Sequence, residues 1–355
     1  MRSPRGGVDS AIRAFEGRVA PRLAGLDPAD QKGIDGLLHA LDATPKFSQI
    51  GGNVAVATSI ACARAAAAVR GIPLYQHLSD GRALHIPVPM GNIIGGGRHA
   101  IGGTTIQEFL AVAQGPTAAA SALANAEVHA GVRGRLKSLI PGSPLGRGDE
   151  GAWVAPLADE GALEVLAEAC AAVSKSRGFP VRPALDLAAS EFFRDGQYHY
   201  RGRSLTPRQQ ADFVEDLVNR FALFSVEDPL EQEDFGGWAD LTSRIGSRCM
   251  VVGDDVFVTS VSRLERGIER GAANAILIKP NQIGTLTDTE AAVDLAHGAG
   301  YRTVMSHRSG ETTDDAIAHL AVAYGCVAIK TGAVGGERVA KLNELIRIEE
   351  QLGGA

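Results

Sequence analysis

The chain has 355 residues, 45% hydrophobic and 21% charged, with a formal net charge of -6. This is the composition of a folded protein, not of a disordered tail or a fibre, and at ~150 residues per domain it predicts two domains. The acidic balance argues against a nucleic-acid partner, whose binding domains are basic, and 43 glycines imply many tight turns or loops close to a ligand.

In chain order, the first part reads as helices. Val8 to Ala20 has helical apolar spacing, Asp27-Pro28 opens a second segment, and Asn53 to Arg70 is an Ala-rich helix stopped by Gly71-Ile72-Pro73. No hairpin precedes Leu84. The stretch Val54 to Val69, broken by Ser59 and Arg64, is too short to span a bilayer. The N-terminus lacks the apolar core of a signal peptide, so no membrane partner is expected and the cytoplasm is the expected compartment. Cys62, Cys170, Cys249 and Cys326 lie far apart without metal-binding spacing and read as buried thiols.

From Leu84 the character changes. His85 to Met90 is a short apolar run, Gly95-Gly96-Gly97 a flexible loop, and Ile106 to Val112 a strand. Thr117 to Ile140 is a long helix, followed by a Gly/Pro-rich loop from Pro141 to Gly151. Further on, apolar runs ending near Leu185, Val226, Val252, Ile278, Met305 and Ile329 alternate with helical segments such as Pro207 to Arg220 and Thr285 to His297. The alternation predicts parallel βα units, in either a doubly wound sheet or a (β/α)₈ barrel.

These runs are followed in turn by Asp186, Glu227, Asp254, Lys279, His307 and Lys330. In a barrel, such strand ends converge on one mouth, where the active site lies. Three carboxylates, two lysines and a histidine are costly to bury unpaired, and a hard divalent cation on Asp186, Glu227 and Asp254 offsets that cost. Oxygen-only ligands favour Mg²⁺ over zinc. A lysine beside a metal-bound substrate carboxylate suits removal of the adjacent carbon-bound proton through an enediolate, a pattern known for enolase-type sites.

Local strings are more specific. SVEDPLEQEDFGGW (Ser225 to Trp238), VVGDDVFVTS (Val251 to Ser260), IKPNQIGTLTDT (Ile278 to Thr289) and MSHRSGETTDD (Met305 to Asp315) resemble enolase, phosphopyruvate hydratase. So do PVPMGNIIGGGRHA (Pro87 to Ala100), IQEFLA (Ile106 to Ala111), GDEG (Gly148 to Gly151), LDLAASEFF (Leu185 to Phe193) and the tail from Glu337 to Leu352. The resemblance runs in order over nearly the whole chain. It implies an enolase-type (β/α)₈ barrel over residues 84–355, its first units irregular, after a smaller, mainly helical domain over residues 1–83. It also implies reversible dehydration of 2-phosphoglycerate to phosphoenolpyruvate in glycolysis.

By that resemblance Asp186, Glu227 and Asp254 hold Mg²⁺, Lys279 removes the C2 proton, and Glu150, assisted by Glu108, protonates the hydroxide leaving C3. Lys330 faces the substrate carboxylate, Arg308 and Ser309 the phosphate, and His99 and His307 line the site. Asp255 is expected to orient a lysine. A homodimer is implied, with a small phosphorylated carboxylate as substrate.

Against the family pattern, Arg5-Gly6-Gly7-Val8 aligns after the usual β-meander and mobile Ser/Gly/Ala/Ser/Thr loop, so both are expected to be absent, with the loop's ligand for a second Mg²⁺. The string Asp149 to Pro156 is one residue longer than the family's, the segment Thr331 to Glu337 one shorter, and Gly95 replaces an Asn. Two alternatives stay open: a homologue acting on a related phospho- or phosphono-carboxylate, as in carboxyphosphonoenolpyruvate formation, and a non-catalytic binding protein.

Overall fold

The computed structural model describes residues 8–142 and 144–353; Arg5, Gly6 and Gly7 lie outside them. The helix expected from Val8 is interrupted. α1 (Asp9–Ala14) passes through a π-helical turn at Phe15–Val19 into α2 (Ala20–Leu23), whose first turn contains Pro21. Proline has no N–H for the i−4 ladder, which accounts for the break. Asp27-Pro28 starts no helix: Asp27 accepts a hydrogen bond from Ala29 N in a turn. α3 (Gln31–Asp42) begins after Asp30, whose carboxylate accepts from Gly33 N at 3.0 Å.

α4 (Gly52–Arg70) ends as expected on left-handed Gly71 and is followed by α5 (Leu74–Leu78). By length and composition alone α4 is long and apolar enough to cross a membrane. It packs within the fold instead: Val54, Ala55, Ala63, Ala66 and Ala67 are buried, and Arg64 donates to Asp314 and Asp315. Cys170, Cys249 and Cys326 are buried, whereas Cys62 on α4 is half-buried; all four are free thiols.

β1 (Val88–Gly95) and β2 (Glu108–Ala113) pair antiparallel, and α6 (Ala118–Leu139) follows, capped by Thr117. β1 continues to Gly95, so the expected glycine loop begins only at Gly96. Next come β3 (Trp153–Val154), α7 (Asp159–Arg177) and β4 (Val181–Asp186). A small antiparallel sheet, β5 (Phe193–Arg194), β6 (Gln197–Tyr200) and β7 (Arg203–Leu205), was not foreseen. Regular βα order then holds through α8 (Pro207–Phe221), β8 (Ser225–Glu227), α9 (Phe235–Ile245), β9 (Met250–Gly253), α10 (Val261–Arg270) and β10 (Ala275–Ile278). The chain continues through α11 (Pro280–Ile283), α12 (Leu286–Gly298), β11 (Arg302–Ser306), α13 (Ala316–Ala323), β12 (Ala328–Lys330) and α14 (Gly336–Gln351).

The strand order β12-β11-β10-β9-β8-β4-β2-β1, closed by parallel pairing of β12 with β1, makes an eight-stranded barrel and excludes the doubly wound sheet. Side chains alternate across each strand. Leu110 and Val112 of β2, Ala184 of β4, Met250 and Val252 of β9, Ala275 and Leu277 of β10 and Ala328 of β12 fill the barrel interior. Their neighbours Phe109, Leu185, Val251, Ile276 and Ile329 pack outward in the larger cluster beneath the helices.

Candidate active site

The same alternation, extended to the mouth, gives Glu108, Asp186, Asp254, Lys279 and Lys330 the parity of the interior residues on their strands. All six predicted strand-end groups lie at strand ends: Asp186, Glu227 and Lys330 end β4, β8 and β12, and Asp254, Lys279 and His307 directly follow β9, β10 and β11. Glu108 comes from the opposite end of its strand. β2 runs antiparallel to β4, so its first residue is the one paired with Asp186.

Lys330 is the electrostatic centre. Its Nζ lies 3.1 Å from Glu108 Oε2 and donates to Asp186 Oδ2 at 2.9 Å and to both Glu227 oxygens at 3.0 Å. Burial, then Asp186, pushes the Glu227 carboxyl well above its usual range despite Lys330. Lys279 Nζ donates to Asp254 Oδ2 at 2.5 Å. Burial opposes both charges, yet Lys279 outweighs it and lowers the Asp254 pKa, while Asp254 chiefly raises that of Lys279.

The two glutamates proposed for acid chemistry titrate apart. Burial, reinforced by Glu150, drives Glu108 well above the carboxylate range. Burial acts on Glu150 too, but His307, Lys330 and His99 overcome it and hold Glu150 well below that range. The two carboxyls are thus pushed in opposite directions, the kind of division that marks acid and base partners. Glu150 has φ +65°, uncommon for a non-glycine residue. Its turn is held by Asn92 Nδ2 on Oε2 at 3.1 Å and by His129 Nε2 near Gly151 O at 2.9 Å. Strain of this kind collects at functional sites.

His99 Nδ1 lies 3.3 Å from Glu108 Oε1, and His307 Nε2 3.3 Å from Glu150 Oε1. Arg308 Nη1 donates to Asn281 Oδ1 at 3.1 Å. His99, Glu108, Glu150, Lys279, Arg308, Ser309 and Lys330 all line a cavity of about 100 Å³. An outer pocket of about 440 Å³ shares His99, Arg308 and Ser309 with it.

Asp186, Glu227 and Asp254 stand on adjacent strands, but the lysines occupy their oxygens. The described groups whose ligand atoms lie within 4.8 Å of one another are His99–Glu108–Glu150 and Asp228–Asp254–Asp255. Asp228 was not singled out in the sequence, although it directly follows Glu227. It accepts from the amides of Asp254 and Asp255 at 2.9 and 2.8 Å and so shapes the loop after β9. Gln282 was also missed; it donates to Asp254 Oδ1 at 2.9 Å and accepts from Thr259. Asp255 makes no side-chain hydrogen bond to a lysine among the described contacts. Burial and then Asp254 raise its pKa to about 6.

The chain matches the family described as Enolase, N-terminal domain over residues 2–78, and Enolase, C-terminal TIM barrel domain over residues 83–355. A protein named enolase from Natronomonas pharaonis is 52% identical over 345 residues, covering 96% of this chain and 86% of that protein. The enolase of Halobacterium salinarum is 52% identical over 347 residues, covering 97% and 87%. That of Methanothermobacter thermautotrophicus is 50% identical over 355 residues, covering 98% and 85%.

Proposed function

The chain belongs to the enolase family, and we propose from that premise how its barrel mouth performs the reversible dehydration of 2-phosphoglycerate to phosphoenolpyruvate. It is a carbon–oxygen lyase. One observation supports these assignments above the others. A lysine directly after β10 and a pair of glutamates with divided pKa values line the same small cavity beside a fully enclosed lysine.

Lys279 takes the proton from C2 of the substrate. Lys330 faces the substrate carboxylate, where negative charge grows as that proton leaves, and a fixed cation there stabilises the transition state more than the ground state. Glu150 protonates the hydroxide leaving C3, supplied from the proton held on Glu108; in reverse, ionised Glu150 activates water. Arg308 offers paired donors to the phosphate and Ser309 a hydroxyl beside it. His99 and His307 steady the two glutamates.

Asp186, Glu227 and Asp254 fit a divalent cation: they are buried, offer oxygen alone, and among the described residues face two lysines as close counter-charges. We assign Mg²⁺ to them, since hard oxygen donors suit it. When bound, it would draw electrons from the substrate carboxylate, acidify the C2 proton and weaken the carboxylates' hold on the lysines. For glycolysis, the cytoplasm and a homodimer the reading rests on family membership. No observation favours the phosphono-carboxylate or non-catalytic readings beside relatives named enolase.

The test is a direct assay of the 355-residue chain with 2-phosphoglycerate and Mg²⁺. Phosphoenolpyruvate formation is expected. A chain that binds both and forms none overturns the reading.

A further inference from the structure

His307 is off the register of its strand. On β11, Val304 faces the barrel interior and Met305 the helices, so His307 carries the outward parity. It nevertheless lines the cavity and is 2% exposed. What holds it comes from α14. Arg338 is itself 2% exposed. Its Nη1 lies 2.7 Å from His307 Nδ1 and donates to Arg308 O at 2.7 Å, while Nη2 donates to Ser309 O at 2.7 Å. Lys341, one turn later, donates to Thr312 O at 2.5 Å. Nothing in the reaction described above uses Arg338.

A guanidinium has five donors, no acceptor, and keeps its proton. The ring nitrogen facing Arg338 must therefore be a bare lone pair, and an imidazolium would set N–H against N–H. The remaining proton belongs on Nε2, which is buried without a hydrogen bond of its own and lies 3.3 Å from Glu150 Oε1. We propose that Arg338 is a positioning residue for catalysis: it locks His307 as the neutral Nε2–H tautomer and thereby presents a fixed donor to Glu150. The proposal rests on the assignment of Glu150 as the acid–base group. Burial, the largest cause, also lowers the His307 pKa, with Glu150 opposing and Arg338 and Lys330 adding to it.

Neutral imidazole is the better partner for this role. It favours the ionised carboxylate by hydrogen bonding without adding a full charge that would trap it.

The test uses the full chain labelled with ¹⁵N at histidine, the His307 signals being assigned by their loss in His307→Gln. In the wild type, Nδ1 is expected to resonate as an unprotonated nitrogen and Nε2 as a protonated one. Protonation at Nδ1, alone or with Nε2, overturns the proposal and needs no variant. Arg338→Met is expected to mix the tautomers and lower kcat about 10- to 100-fold, in line with losing an outer positioning partner, while KM changes little. Arg338→Lys, still a donor-only cation, is expected to restore the tautomer and much of kcat. If Arg338→Met keeps both the tautomer and kcat, Arg338 has no positioning role. A wild-type chain inactive on 2-phosphoglycerate would refute the assigned reaction, while the nitrogen spectrum would still decide the tautomer.

Discussion

Lys279 and Lys330 sit about as close to carboxylates as side chains can, and they do different things there. Lys330 touches three acids and is held well above its usual pKa: burial opposes its charge, but Asp186, Glu108 and Glu227 prevail. That environment keeps its proton in place, as the fixed charge proposed for it requires. Lys279 has one close partner, Asp254, which Gln282 and the amide-bound Asp228 hold in place. The Lys279 pKa is raised too, chiefly by Asp254, so it can act as the proposed base only once that pairing is loosened. Lys279→Ala is thus expected to abolish deuterium exchange at C2 of 2-phosphoglycerate, with helix content by circular dichroism unchanged. Exchange at the wild-type rate would remove Lys279 from the role of base.

Among the elements, β2 explains why the site was only partly legible. Reading catalytic groups from the ends of apolar runs found the residues at the ends of β4, β8, β9, β10, β11 and β12, because parallel strands bring their C-terminal ends to one mouth. Glu108 begins a reversed strand, and no periodicity marks a reversal; only the resemblance of IQEFLA pointed to it. Arg338 was invisible for a related reason. It lies at the start of a helix whose contact with the loop after β11 depends on tertiary packing. Asp27-Pro28 misled because Asp caps turns as readily as helices.

The loop after α3 shows how a polar side chain organises backbone. The Asp42 carboxylate accepts from Thr44 N, Gln49 N at 2.8 Å and Ile50 N at 2.7 Å, and from the Thr44 hydroxyl. Burial works against its charge, but these donors, led by Thr44, outweigh it and lower the pKa. A pKa lower in the folded than in the unfolded chain adds stability that is full above the unfolded value, about 3.9, and lost as pH falls through the folded one. Urea unfolding from pH 6 to pH 3 is expected to show wild type more stable than Asp42→Asn near neutrality, with the gap closing in acid. A constant gap would disprove the linkage.

For the molecule as a whole, the choice between sheet and barrel could not be made from local pattern. It depends on one pairing, Val88, Pro89 and Met90 of β1 with Ala328, Ile329 and Lys330 of β12, and distant partners leave no trace in periodicity. A whole-molecule prediction follows from the metal assignment. A ligand that binds only the folded state raises the melting temperature with its concentration. Millimolar Mg²⁺ is expected to raise the Tm over a chelated sample and to restore activity lost to chelation. An identical Tm in both, with activity retained in chelator, would show that these carboxylates hold no ion the enzyme needs.

The closing pair β1–β12 also orders events during synthesis. Lys330 is the last residue of β12 and the shared counter-charge for Glu108, Asp186 and Glu227. Until that residue has left the ribosome, the nascent barrel has both an open seam and a patch of acids that water must solvate. Sealing the seam and neutralising the patch are then a single event. A half-made barrel cannot dry its interior early, and the reaction centre comes into being in the same step that completes the fold.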